Sequence, residues 1–198
     1  MQQRASTDGQ HTAFTDHSIR RVPVAPQDSP HSNELVAFWP TRATDRDYAL
    51  AYADESWTHT DPATIKLAHD KLQNVWTRSP GDPAVAAQLA YTCDLIGDYQ
   101  KAESLYREAL KADPANLIAL SNLGTHLARN GNLAAANELW QKALAINPGL
   151  EAPARNLATS EYQLGHEREA LDTVQRSLSL NPDSAALLKL QKQIGPIK

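Results

Sequence analysis

Apolar positions in the second half of the chain fall into alternating helical stripes. Between residues 117 and 150, Leu120, Leu123, Gly124 and Leu127 stand at i, i+3, i+4 and i+7, one face of a helix. Gly131-Asn132 interrupts that stripe, since glycine reaches positive φ at little cost and so ends a helix. Ala136, Trp140, Ala143 and Leu144 then mark a second face. Asn147-Pro148 stops it, because the residue before a proline is pushed out of the α region. The same marks recur in register: Gly97, Gly131 and Gly165, then Ala102, Ala136 and Ala170, then Pro114, Pro148 and Pro182. The block 83–116 carries Ala86, Leu89, Ala90 and Cys93, then Tyr106 and Ala109. The block 151–184 carries Ala154, Leu157 and Ala158, then Val174 and Ser177. Each block predicts two short antiparallel helices. One such pair cannot bury both of its faces, so the pairs are expected to stack into an all-α helix-turn-helix solenoid.

Flanking segments extend the pattern. Residues 44–82 read as a degenerate repeat. Thr44-Asp45 is expected to cap a helix to about Ser56 with Tyr48, Ala51 and Tyr52 on one face. Asp61 caps a second, with Pro62 at its first position and Ile65, Ala68, Leu72, Val75 and Trp76 at helical spacing. Residues 185–195 read as one closing helix with polar residues outward, as a solenoid end requires. Residues 1–43 hold Pro23, Pro26, Pro30 and Pro40 with little periodicity and read as an extended arm. Its apolar run Leu35–Pro40 is expected to pack on the first helices, the alternative being a hydrophobic patch for a domain outside this chain.

These blocks resemble tetratricopeptide repeats, right-handed helical solenoids. That pattern has a large residue at position 4, Leu at 7, Gly or Ala at 8 and a large residue at 11. Ala at 20, an aromatic at 24, Ala at 27 and Pro at 32 follow. Leu120, Leu123, Gly124, Leu127, Ala136, Trp140, Ala143 and Pro148 match it in turn. The departures are Ala86 and Ala154 at position 4 and Glu161 at position 11, where looser packing is expected. The resemblance implies a non-catalytic protein–protein interaction module that holds a protein or peptide segment in the groove of the first helices. Groove-facing positions are then Tyr91, Asp94 and Leu95 in one repeat, and Ile118, Ser121, Asn122, Thr125 and Arg129 in the next. Arg155, Thr159, Tyr162 and Gln163 follow in the last. Tyrosine and arginine are common interface anchors. The family's two-carboxylate clamp for chaperone C-termini needs Lys and Asn where Ala87 and Tyr91 stand, and Lys and Arg where Ala152 and Asn156 stand. A chaperone-tail partner is therefore not expected.

A second resemblance concerns the arm. His11-Thr12-Ala13-Phe14-Thr15-Asp16-His17 is similar to the end of the haem domain in multihaem c-type cytochromes that carry C-terminal tetratricopeptide repeats. It implies that the chain is the C-terminal docking part of an electron-transfer protein starting upstream of Met1. His11 and His17 would then be axial ligands of haem c, since imidazole is a common haem ligand. In that reading a multihaem cytochrome domain is the partner in the same polypeptide, and the compartment is periplasmic. Within this chain itself no cofactor is expected, because no Cys-x-x-Cys-His occurs.

Composition narrows the remaining choices. The chain has 198 residues and net charge −4, with no basic block, so a nucleic-acid surface is not expected. No apolar run is long enough for membrane insertion, and the N-terminus shows no signal-peptide apolar core. The single cysteine, Cys93, sits at an inward repeat position and reads as a buried small hydrophobe. The seven histidines show no zinc spacing, and His126 and His166 read as surface residues. No nucleophile elbow or phosphate loop is present, so catalysis is not expected.

Overall fold

The computed structural model describes residues 43–58 and 60–195. Residues 1–42 of the expected arm, with His11, His17 and Leu35–Pro40, lie outside the described residues. Among the described residues there are nine α-helices. They are α1 (Asp45–Thr58), α2 (Pro62–Arg78), α3 (Pro83–Ile96), α4 (Tyr99–Ala112), α5 (Leu117–Arg129), α6 (Leu133–Ile146), α7 (Glu151–Gln163), α8 (Glu167–Leu180) and α9 (Ala185–Ile194). Each odd-numbered helix up to α7 pairs with the next as a hairpin, and each pair stacks on its neighbour. The first helices α1, α3, α5 and α7, with α9, also pack successively against one another, whereas the second helices do not. The first helices therefore line one continuous side of the stack. No helix is long and apolar enough to cross a membrane among the described residues.

Local chemistry sets the helix ends. Asp61 accepts from the Ala63 and Thr64 amides at 3.0 Å, with Pro62 opening α2. Hydrogen bonds from Thr64, then its amide and that of Ala63, hold the Asp61 carboxyl below the usual range. Asp82, Asp98, Asn116, Asn132 and Ser184 likewise cap α3, α4, α5, α6 and α9. The third full repeat differs: neither Leu150 before α7 nor His166 before α8 makes a side-chain cap. Gly97 closes α3 at φ 88°, where its amide reaches the α3 carbonyls. Gly131 occupies the same region at φ 81°.

Packing follows the stripe of small residues. Ala90, Gly124 and Ala158 at the eighth position and Ala102, Ala136 and Ala170 at the twentieth are buried. Paired small residues let each hairpin's backbones approach closely. Two apolar clusters result. The larger runs from Ala49 to Leu157 through Leu72, Leu89, Tyr106, Leu123 and Trp140. The smaller joins Ala158, Ala170, Val174, Leu187, Leu190 and Ile194. The closing helix thus buries its apolar face against the last repeat. On α1 the buried residues are Ala49, Tyr52, Ala53 and Ser56, with Ala51 exposed. Tyr52 is thus buried as expected, whereas Tyr48 is only partly buried and Ala51 faces out. The stripe is rotated because Ala49 and Ala53, one turn apart, give the close approach that a larger Tyr48 could not.

Candidate functional site

The groove positions lie on α3, α5 and α7, the helices that pack side by side. At the first end, Tyr91 is half-buried and stacks on Trp57 of α1, with ring centroids 4.1 Å apart and an interplanar angle of 9°. Burial pushes the Tyr91 hydroxyl up. Trp57 Nε1 donates to Gln88 Oε1 at 3.2 Å, and Gln88 Nε2 donates to Asp54 Oδ1 at 3.2 Å. Trp57 itself remains 44% exposed. The pair is a fixed aromatic ledge. Residue-by-residue register could not find Trp57, which stands in the degenerate repeat where the period slips.

Asp94 has a different environment. It accepts from the Tyr106 hydroxyl at 3.1 Å and lies 3.3 Å from His126 Nδ1 and 3.5 Å from an Arg129 nitrogen. Its side chain is 13% exposed. Asp94 is thus engaged in joining two repeats. Burial, with the neighbouring Asp94 charge, pushes the Tyr106 hydroxyl well above its ordinary value. His126 is buried, which corrects the surface reading of that histidine. Its Nε2 lies 3.3 Å from Glu103 Oε2 and 3.2 Å from Asn130 Nδ2. Polar partners from the preceding repeat draw the imidazole inward. No apolar stripe announces such a site. His166 is exposed in the turn before α8. Nearby, Leu95 and Tyr99 are exposed, and the Arg129 guanidinium sits 4.7 Å over the Tyr99 ring.

Further along, a recess of about 290 Å³ gathers Thr125, Arg129, Thr159 and Gln163 from the predicted set, with Asn156 and Ser160 beside them. Asn156 Nδ2 donates to Thr125 Oγ1 at 3.2 Å and ties α7 to α5. Thr125 Oγ1 donates to the Ser121 carbonyl, which also accepts from Trp140 Nε1. Asn122 lies beside the Tyr106 hydroxyl. Ile118 packs against the larger apolar cluster and Tyr162 against the smaller, so both brace the helices as well as standing at candidate groove positions. Arg155 and Gln163 are exposed.

Cys93 is buried, and burial pushes its thiol up to about 11. A thiol that stays protonated is a poor nucleophile. Among the described residues no three His, Cys, Asp or Glu side chains gather as a metal site would need.

Successive short helix pairs, small residues at the hairpin seams and first helices lined up on one side define an all-α tetratricopeptide solenoid. A tetratricopeptide-repeat family model matches residues 96–151. No curated protein sequence matches the chain. Among solved structures, MamA is similar at 17% identity and TM-score 0.62, over 76% of this chain and 80% of that one. PilF of Pseudomonas aeruginosa is similar at 21% identity and TM-score 0.65, over 76% and 69%. The first tetratricopeptide domain of Spaghetti (RPAP3), solved bound to the HSP90 peptide SRMEEVD, is similar at 21% identity and TM-score 0.53, over 57% and 92%.

Proposed function

We propose that this solenoid is a non-catalytic interaction module that holds a protein or peptide segment along its first helices. The observation that carries the reading is the recess between α5 and α7. It presents the Arg129 guanidinium and the Thr125, Thr159 and Gln163 polar groups from rigid helices on one side of the stack. Groups fixed this way lose little entropy on binding. The exposed Trp57–Tyr91 ledge and Leu95 add apolar area at the other end of the same side. A segment that crosses both would combine an apolar anchor with side-chain hydrogen bonds, the usual division between hot spot and rim. One structural neighbour holds the peptide SRMEEVD, with three acidic residues among its last four. Here Ala87, Tyr91, Ala152 and Asn156 replace the basic clamp, so a different class of segment is expected.

The test is affinity capture from native extract with Leu95→Ala, Arg155→Ala and Gln163→Ala combined. These side chains are exposed, so helicity and melting temperature should match the parent chain. A partner identified by mass spectrometry should be lost from the triple variant and kept by Glu138→Lys, an exposed change on a second helix. Equal capture by all three proteins would refute the groove reading.

A further inference from the structure

A second recess lies away from the first-helix groove, between α6 and the α7–α8 hairpin. Its volume is about 530 Å³, in the range of small-molecule pockets. Its origin can be traced to two repeat positions. In the middle repeat, positions 4 and 11 are the buried Leu120 and Leu127. In the last repeat the same positions are Ala154 and Glu161. One exchange removes volume and the other introduces a carboxyl group, the one acidic side chain in the lining of the recess among the described residues. Leu144, Pro148 and Leu180 supply apolar wall.

One hydroxyl inside it lacks a partner, and one carboxylate there is only half engaged. Glu161 is 7% exposed; its Oε2 accepts from Thr173 Oγ1 at 2.9 Å, and its other oxygen has no hydrogen bond among the described residues. Ser177 is 3% exposed, and its hydroxyl, which lines the same recess, has no partner at all among the described residues. The unbonded Glu161 oxygen is open to the recess, so it can accept from a bound cation between apolar walls, where a charged pair is screened less than in bulk water. The charged neighbours that act on Glu161 are Glu169, Arg176 and His166. Arg176 also lines the recess and its charge reaches Glu161, but its side chain is mostly exposed and pairs with Asp172 one turn away.

We propose that this recess binds a small organic cation, an ammonium group on an apolar stem, with Glu161 as counter-ion, Ser177 as second hydrogen-bond partner and the Ala154–Leu144 wall around the stem. The site goes beyond the groove reading and does not rest on it, since it uses different helix faces.

Titration of the full chain with n-hexylammonium chloride, followed by methyl NMR, tests it. Shifts should centre on Leu144 and Leu180. 1-Hexanol, which has the stem without the charge, should bind at least tenfold more weakly. Glu161→Gln should weaken the amine at least tenfold while leaving 1-hexanol nearly unchanged. Ala154→Leu, which restores the middle repeat's residue, should exclude both ligands with the helices intact by circular dichroism. An Nα-acetyl-lysine methyl ester arm separates a free amine from a lysine side chain: the site is assigned to free amines, and the ester should bind more weakly than hexylammonium. The proposal is overturned if hexylammonium causes no saturable shifts at these methyls. Equal binding of the alcohol, unchanged amine binding in folded Glu161→Gln, or tighter binding of the lysine ester would each overturn it too.

Discussion

Gly124 and Trp140 face each other across the middle hairpin. A methyl group on Gly124 would stand 2.6 Å from Trp140 Nε1, whose ring is 3% exposed and donates to the Ser121 carbonyl. The equivalent pairs are Ala90 with Tyr106 and Ala158 with Val174, so the largest side chain stands opposite the smallest. Gly124→Ala should therefore cost ~1–3 kcal/mol by overpacking, although alanine favours helices. Gly131 offers a contrast: space around it is open, and its φ of 81° is what excludes other residues. Gly131→Val should cost about 1 kcal/mol or more through backbone strain alone. Chemical denaturation of the two variants checks both values. Glu161 makes a pH-dependent prediction. Burial raises its carboxyl above the ordinary range, with Glu169 adding to the rise and Thr173, Arg176 and His166 opposing it. The folded state then holds this proton more tightly than the unfolded state does. Stability is lost as pH climbs from below the ordinary glutamate value through the raised one. Glu161→Gln should accordingly gain stability relative to the parent as pH rises across that window. A gain that is the same at every pH would show the carboxyl to be solvated.

At the scale of helices, the third full repeat stands apart. Both its helices lack a side-chain cap, and the two apolar clusters divide between Leu157 and Ala158. Amide exchange should therefore open α7, α8 and α9 at lower free energy than α3 to α6. His166→Asp, which places a capping carboxylate where Asp98 and Asn132 already act, should recover ~1 kcal/mol and slow exchange in α8 first. Uniform exchange along the chain would contradict this division. Helix positions were legible from sequence here because Gly, Pro and capping residues act locally. The buried face of α1 was not, since Tyr48, Ala51 and Tyr52 also suit a helical stripe, and only contact with α2 and α3 decides for Ala49 and Ala53.

Across the whole molecule, what the sequence could show was the repeat, because stacking imposes the same small residues at every seam. What it could not show was any site made by two repeats together. His126 is buried by partners that lie in the preceding block, and Trp57 meets Tyr91 from a repeat whose register slips. Likewise Ala154 and Glu161 read as weak packing in one dimension but enclose a recess in three. Family register put the candidate groove residues on the first helices. Their division into exposed side chains such as Arg155 and Gln163, and bracing residues such as Asp94 and Tyr162, needed the structure. The central claim is that partners lie along the first helices. Photo-crosslinking with a benzophenone amino acid placed singly at Thr159, Gln163 or Glu138 in the full chain tests it directly. Crosslinks to one partner segment from Thr159 and Gln163, with none from Glu138 on the second-helix side, are the predicted result. Crosslinks from Glu138 alone, or none from either groove position, would contradict the account.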